Sequence, residues 1–252
     1  MFDYKDRVVV ITGASSGLGF QMAKGFAAQG ANLVLLARRK EKLEENAKII
    51  RDMGVKCLPV QCDIKDEKSV TSAVEQTISE FGKVDVVINN AGSGNTDPIE
   101  ELTVENWKEC VDMDLNTVFL VTREFGKPMI KAGSGRVINI ASMYGLVGNT
   151  MLPSSAYHAA KGGVVNFTRA AAAEWAKYNI TVNCICPGYF ATELTIDTLE
   201  TSDFQQYMQA TVPLGRYGKE GELNSAALFL GAEESSYVTG VIIPVDGGYT
   251  CV

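Results

Sequence analysis

A tyrosine and a lysine lie four residues apart, at Tyr157 and Lys161, in a segment whose apolar pattern predicts a helix. Residues four apart share one face of a helix, so the lysine ammonium can lie beside the tyrosine phenol. A free phenol has a pKa of about 10, and a nearby cation lowers that pKa because it stabilises the phenolate. Ser142, just after a predicted strand, adds a hydroxyl that can polarise a carbonyl oxygen. The three side chains together predict proton transfer to or from an oxygen atom.

A glycine-rich turn follows the first predicted strand and opens the first predicted helix. It has the sequence Thr12-Gly13-Ala14-Ser15-Ser16-Gly17-Leu18-Gly19. Its glycines allow close approach of the backbone and leave helix N–H groups directed at a pyrophosphate. The turn therefore predicts a dinucleotide site, with contacts from Gly13, Ser15, Ser16, Gly17, Leu18 and Gly19.

The end of the second predicted strand carries the signal for cofactor choice. An acidic residue here would bind the ribose 2′-hydroxyl of NAD, but Ala37 is followed by Arg38, Arg39 and Lys40. Guanidinium groups suit a 2′-phosphate, although basic residues also commonly begin a solvated helix. We expect NADP(H) as cofactor, bound through Arg38 and Arg39, with NAD(H) less favoured.

The third and fourth predicted strands end in residues suited to the rest of the dinucleotide. Asp63, followed by Ile64, can accept a hydrogen bond from an adenine amino group or can cap the helix that follows. After the fourth strand we expect Asn90, Ala91 and Gly92 to line the cofactor, while the Asn89 amide holds neighbouring strands together.

Short apolar runs alternate with longer amphipathic ones along the whole chain. The predicted strands are Val8–Thr12, Asn32–Ala37, Cys57–Gln61, Val84–Asn89, Arg136–Ile140, Thr181–Cys186 and Val241–Val245. The predicted helices are Gly17–Gln29, Lys40–Met53, Glu67–Phe81, Val104–Asp114, Thr117–Lys131, Ser155–Tyr178 and Lys219–Gly231. This alternation predicts an α/β fold of the Rossmann type: a doubly wound, seven-stranded parallel sheet flanked by helices, with its ligand beyond the carboxyl ends of the strands.

Composition limits the classes of partner. The net charge of −7 argues against nucleic acid and anionic membrane surfaces, and no apolar run approaches the length of a membrane helix. The six cysteines form no CxxC pair and no recognisable metal site, so we expect reduced, mostly buried thiols and no metal. These features predict one domain over residues 1–252, a cytoplasmic location and a small-molecule substrate.

In their order along the chain, these motifs resemble those of the short-chain dehydrogenase/reductase family. The resemblance runs from the glycine-rich turn through Asn116, Ser142 and the Tyr157–Lys161 run to Val245-Asp246-Gly247-Gly248-Tyr249. It implies a tetrad of Asn116, Ser142, Tyr157 and Lys161, with Tyr157 as acid/base and Asn116 anchoring a water that serves Lys161. Tyr157 and Lys161 would also contact the cofactor. Further cofactor contacts are expected from Pro187, Gly188, Phe190 and Thr192, and the assembly is expected to be a homotetramer or homodimer.

Two segments are expected to select the substrate: the loop Met143–Ser155 and a mobile lid over residues 189–214. The expected substrate contacts are Ser142, Asn149, Ser154, Tyr189 and Leu194. The run from Glu174 to Thr192 is similar to gluconate 5-dehydrogenases and to sorbose- or mannitol-type reductases, which implies a sugar acid or polyol. The lid is acidic and contains no lysine or arginine, so its charge does not attract an anionic substrate. Its aromatic residues also suit a steroid or bile acid.

Two further alternatives stay open. A 3-oxoacyl-[acyl-carrier-protein] reductase is less favoured because Gly133 and Tyr178 are uncharged where such enzymes place basic residues near the acidic carrier. A protein of another class, a non-catalytic NADP sensor, would keep the fold without the chemistry. His158, next to Tyr157, would point about 100° away from it on a helix, which indicates packing or an interface.

Overall fold

In the computed structural model, seven parallel strands form one twisted sheet in the order β3-β2-β1-β4-β5-β6-β7. Residues 2–94, 96–193 and 195–252 are described. The strands are β1 Val8–Thr12, β2 Asn32–Ala37, β3 Cys57–Gln61, β4 Val86–Asn89, β5 Gly135–Ile140, β6 Ile180–Pro187 and β7 Ile242–Val245. The predicted Rossmann-type doubly wound sheet is thereby confirmed.

Helices cover both faces of this sheet. They are α1 Gly17–Ala27, α2 Lys40–Asp52, α3 Glu67–Phe81, α4 Val104–Val111, α5 Thr117–Ala132, α6 Ser155–Trp175, α7 Ile196–Leu199, α8 Ser202–Thr211 and α9 Asn224–Gly231. None of the helices formed by the described residues combines the length and the hydropathy that crossing a membrane requires.

Side chains that alternate along β1 divide the core between the two faces. Val9 and Ile11 pack with residues of α1, α2 and α9, whereas Val8 and Val10 pack with residues of α3, α5 and α6. Every residue of β1 is buried because helices cover both sides. This double cover explains why the central strands are continuous apolar runs in the sequence.

Several predicted boundaries were wrong, each for a local reason. The fourth strand begins at Val86 rather than Val84, because the Asp85 carboxylate accepts a hydrogen bond from the Val8 N–H at 2.7 Å. The last helix begins at Asn224 rather than Lys219, because the Glu222 carboxylate binds the Lys219 N–H at 2.6 Å and forms a turn.

Between α4 and α5 the chain forms one wide π-helical turn over Asp112–Asn116. The apolar pattern predicts instead that α4 continues to Asp114 as an ordinary helix. Within the lid, the sequence pattern predicts neither α7 nor α8. Both departures lie at the carboxyl end of the sheet, where the motifs singled out from the sequence meet.

Candidate active site

A cavity of about 890 Å³ opens at the carboxyl ends of the strands. Its lining includes Gly13, Ser15, Ser16, Gly17, Leu18, Arg38, Arg39, Asp63, Ile64, Asn90, Ala91, Gly92, Ser142, Ser154, Tyr157, Lys161, Pro187, Gly188, Tyr189, Phe190 and Thr192. Of the site residues predicted from the sequence, Gly19, Asn116 and Asn149 are not in this lining, and Leu194 lies outside the described residues.

Two glycines of the turn at one end of the cavity, Gly13 and Gly19, have no room for a side chain. Gly13 has a φ of +67°, and a Cβ there would lie 2.9 Å from the Cα of Ala91. A Cβ on Gly19 would lie 2.6 Å from the carbonyl oxygen of Gly13 and from the Asn90 amide nitrogen. These contacts hold the start of α1 close to Asn90 and Ala91 as a cradle, and the unpaired N–H groups of a helix start suit a pyrophosphate.

The cavity lining beside this cradle carries two guanidinium-bearing residues. The Arg39 guanidinium donates to the Ser15 hydroxyl at 3.0 Å and to the Ser16 hydroxyl at 2.6 Å. Arg38 is exposed, and its carbonyl oxygen accepts a hydrogen bond from Gln61 at 3.1 Å. Of the two residues, Arg39 is the one held across the glycine-rich turn.

Two residues at the ends of β3 and β4 have well-defined local partners. The Asp63 carboxylate accepts a hydrogen bond from the Lys65 N–H at 3.0 Å, and Asp66 is the residue that caps α3, so the capping alternative for Asp63 is wrong. The Asn89 amide donates to Asn139 at 2.8 Å and to Thr122 at 2.9 Å, which is the inter-strand role expected of it.

At the centre of the cavity, Tyr157 and Lys161 share one face of α6, beside Ser142. The Lys161 ammonium lies 5.5 Å from the centroid of the Tyr157 ring. It also donates to the carbonyl oxygen of Ile140 at 3.3 Å, so the end of β5 fixes its position. The Ser142 hydroxyl accepts a hydrogen bond from the Tyr144 N–H at 3.1 Å, which orients it at the start of a short 3₁₀ turn.

The protonation of this pair reflects opposing effects. Burial raises the pKa of Tyr157, while the Lys161 charge opposes that rise, Asp114 adds to it, and the hydrogen bond with Ser142 opposes it. Burial alone would lower the pKa of Lys161, but the negative charges of the Tyr157 phenolate and the Asp114 carboxylate outweigh it and raise that pKa above its usual range. Both groups therefore hold their protons more tightly than in water.

Asp114, not Asn116, is the residue beside Lys161. The Asp114 carboxylate is fully buried and lies 3.2 Å from the Lys161 ammonium. Asn116 is exposed, and its amide donates to Asp112 at 2.6 Å instead. The expected placement of Asn116 is corrected because residues two apart on a helical turn point in nearly opposite directions.

Aromatic and apolar side chains line the part of the cavity beyond Ser142. Tyr189 packs edge-on against Phe204, with ring centroids 5.0 Å apart, and Leu152 and Leu199 belong to the same lining. The Tyr144 and Tyr189 hydroxyls lie 2.7 Å apart. Tyr144 was not among the residues predicted from the sequence, although its position two residues after Ser142 was a usable signal.

Asn149 and Ser154 have different surroundings. The Asn149 carbonyl oxygen accepts hydrogen bonds from the N–H groups of Met151 and Leu152, and its amide nitrogen lies 3.3 Å from His158. Asn149 therefore shapes its own loop, contrary to the expected substrate contact. Ser154 lines the cavity, with its hydroxyl 3.2 Å from Nδ1 of His158.

His158 packs against Tyr144 of the cavity lining, as the packing interpretation of this histidine expects. Its ring stacks on Tyr144, with centroids 4.6 Å apart and planes 17° apart. Its Nδ1 lies 2.8 Å from the carbonyl oxygen of Ser154. His158 therefore fixes Tyr144, whose ring meets Tyr157 edge-on at 6.5 Å.

Comparisons with known proteins agree with this geometry. A family model described as Enoyl-(Acyl carrier protein) reductase matches residues 13–250. The chain is 38% identical to a cis-4-hydroxycyclohexanecarboxylate dehydrogenase of Sinomonas cyclohexanicum, over 99% of this chain and 98% of the relative. It is 37% identical to a 2-dehydro-3-deoxy-D-gluconate 5-dehydrogenase of Formosa agariphila, over 98% of this chain and 94% of the relative.

A solved structure also has a closely similar fold. The crystal structure of a gluconate 5-dehydrogenase from Burkholderia cenocepacia J2315, in complex with NADP and tartrate, superposes with a TM-score of 0.95. The two chains are 32% identical, and the match covers 100% of this chain and 98% of the other.

Proposed function

This chain belongs to the short-chain dehydrogenase/reductase family, and we propose that it is an NADP(H)-dependent oxidoreductase of secondary alcohols and ketones. The observation that carries the proposal is the placement of Tyr157, Lys161 and Ser142 in the same cavity as the glycine-rich turn. A dinucleotide bound there supplies or accepts the hydride.

The described residues fit such a cofactor. The glycines at Gly13 and Gly19 let the cradle pack closely against Asn90 and Ala91, since a Cβ at either position would clash with them, and the start of α1 offers backbone N–H groups to a pyrophosphate. Asn90 to Gly92 and Pro187–Gly188 line the same cavity as Tyr157 and the residues of the cradle. Arg38 and Arg39 provide positive charge for a 2′-phosphate, and the solved relative that binds NADP supports the same cofactor.

The chemistry of the chain's own residues is general acid–base catalysis. The Tyr157 phenol donates its proton to the carbonyl oxygen in reduction, and its phenolate takes the hydroxyl proton in oxidation. The Ser142 hydroxyl donates a hydrogen bond to the same oxygen and stabilises the charge that develops on it. The Lys161 ammonium lies 5.5 Å from the centroid of the Tyr157 ring, where its positive charge stabilises the phenolate.

The substrate we propose is a sugar acid or polyol, as for the gluconate-type relatives. The charge of the cavity favours the uncharged polyol. No Lys or Arg occurs between Arg136 and Lys161 or between Lys177 and Arg216, the stretches that supply the loop and the lid. Lys161 is already paired with Asp114, so a substrate carboxylate finds no free cation in these segments.

A cyclic alcohol, such as a hydroxycyclohexane or a hydroxysteroid, is the second candidate. It is favoured by the aromatic wall of Tyr144, Tyr189 and Phe204, which offers apolar faces with hydroxyl groups at their edges. The relative that acts on cis-4-hydroxycyclohexanecarboxylate supports a cyclic substrate.

A homotetramer or homodimer and a cytoplasmic location complete the proposal, and the mass of the purified protein in solution tests the assembly.

A spectrophotometric panel tests the function. The absorbance of reduced nicotinamide is followed with NADP(H) and NAD(H) against sugar acids, matched polyols, cyclic alcohols and ketones, hydroxysteroids and 3-oxoacyl thioesters. We expect turnover with NADP(H) and higher kcat/KM for uncharged members than for their carboxylates. Tight NADPH binding without turnover of any member would instead identify a cofactor sensor.

A further inference from the structure

The Asp114 carboxylate and the Lys161 ammonium form an ion pair that is closed off from water. The side chain of Asp114 is 0% exposed and that of Lys161 is 4% exposed, and the two are 3.2 Å apart. Both Asp114 oxygens are otherwise held by Ser93, whose N–H and hydroxyl each donate at 3.0 Å. A Cβ on Gly92 would lie 2.6 Å from the Asp114 carboxylate, so the chain leaves room for this pair.

Among the described residues, the other titratable groups near this pair are thiols and the Tyr144 phenol, and the pKa of each is raised except that of Cys186, which its hydrogen bond with Cys184 lowers. Cys110 of α4 lies 3.8 Å from the Asp114 carboxylate, and burial, aided by Asp114, raises the pKa of its thiol to about 11. From β6, Cys186 and burial raise the pKa of Cys184, and its Sγ lies 4.0 Å from that of Cys186. Tyr144, which meets Tyr157 edge-on, has a pKa that burial raises to about 12.

The ion pair beneath Tyr157 combines one ammonium with one carboxylate. A lysine on its own would stabilise the phenolate, but a buried carboxylate beside it cancels much of that field, because little water screens either charge. Asp114 also opposes the phenolate directly.

We propose that Asp114 is a positioning residue that holds Lys161 in place and neutralises its charge, so that Tyr157 remains a protonated phenol at neutral pH. This inference rests on the proposed function and adds a direction to it. Carbonyl reduction consumes the Tyr157 proton at the carbonyl oxygen for each hydride that the reduced cofactor supplies, and solvent then reprotonates the phenolate. Alcohol oxidation needs the phenolate first. The protein therefore works as a ketone reductase at neutral pH and oxidises alcohols only under alkaline conditions.

The variant Asp114→Asn removes the charge and keeps the shape, with one amide oxygen that can still accept from the Ser93 N–H. Because a negative charge raises the pKa of Tyr157, its removal lowers that pKa. The acid limb of the oxidation profile and the alkaline limb of the reduction profile should both move to lower pH, by about one pH unit or more. On the acid limb, the oxidation rate at a fixed pH should rise about tenfold if the limb moves by one pH unit.

Asp112→Asn is the matched control. Asp112 is an exposed acid in the same π-helical turn and binds Asn116 rather than Lys161, so both limbs should stay in place. A fall in turnover that is equal at every pH for Asp114→Asn, with both limbs unmoved, would show a purely structural role and overturn the proposal.

A second measurement does not depend on the fold of Asp114→Asn or on catalysis. The phenolate absorbance of the cofactor-free wild type is titrated against that of Tyr157→Phe, and the difference reports Tyr157. We expect its midpoint above the ordinary tyrosine value of 10.0, and a midpoint in the neutral range would contradict the proposal. If the wild type transferred no hydride to any compound, the proposed function would fail while this titration still decided whether Tyr157 is a protonated phenol at neutral pH.

Discussion

The hydroxyl groups of Tyr144 and Tyr189 lie 2.7 Å apart and join the two segments that shape the substrate end of the cavity. Tyr144 belongs to the short turn that follows β5, and Tyr189 follows Pro187-Gly188 at the start of the lid. Tyr189 also packs edge-on against Phe204 of α8. The hydroxyl pair therefore ties the lid to the turn after β5, while the contact with Phe204 lies within the lid itself.

Tyr189→Phe should weaken substrate binding and leave the chemistry intact. The variant keeps the aromatic contact and loses one hydrogen bond, worth about 1 kcal/mol, so KM should rise about fivefold with little change in kcat. Steady-state kinetics check this. The matched control is Tyr237→Phe, at a fully exposed tyrosine outside the cavity lining. An unchanged KM in Tyr189→Phe would show that the hydroxyl pair does not hold the lid.

Arg39→Ala should lower the affinity for NADPH about tenfold or more and the affinity for NADH much less, because a charge-assisted bond to the 2′-phosphate contributes about 1.5–3 kcal/mol. Arg38→Ala should act in the same direction. Dissociation constants for both cofactors, from the quenching of protein fluorescence, check this. Lys40→Ala is the control, since Lys40 is the next exposed cation and lies outside the cavity lining. Equal losses for the two cofactors would rule out the proposed phosphate contact.

Gly19→Ala should destabilise the protein and weaken dinucleotide binding. The added Cβ would lie 2.6 Å from the carbonyl oxygen of Gly13, and such crowding costs about 1–3 kcal/mol. The melting temperature should fall by about 2–4 °C for each kcal/mol. Gly162→Ala is the control, because a Cβ there in α6 meets only the Gly145 carbonyl oxygen, at 3.7 Å. A Gly19→Ala protein with unchanged melting temperature and cofactor affinity would contradict the claim that close packing at Gly19 shapes the cofactor cradle.

The sheet was predictable because its central strands are covered on both faces and so read as continuous apolar runs. The first three strands begin and end where the apolar runs predict, as at Val8–Thr12. The helices α7 and α8 were missed because the lid packs around its own small cluster of Leu199, Phe204 and Met208, beside the main core. A short local cluster leaves no long periodic pattern in the sequence.

The choice between Asp114 and Asn116 required the structure. The buried positions Cys110, Asp114, Val118 and Val121 follow each other at intervals of three or four, which places Asp114 on the buried face of this helical stretch. That spacing was visible in the sequence, but a charged residue on a buried face is uncommon, and an asparagine was the expected residue. The wide turn at Asp112–Asn116 cannot be inferred from the apolar pattern.

The most direct test of the proposed chemistry is the rate of hydride transfer by Tyr157→Phe with the best substrate and NADP(H), beside wild type and Tyr237→Phe. We predict a loss of about 100-fold or more in kcat, because a positioned acid–base group contributes about that much, while NADPH affinity and folding stay close to wild type. Full turnover by Tyr157→Phe would contradict the central claim that this phenol transfers the proton.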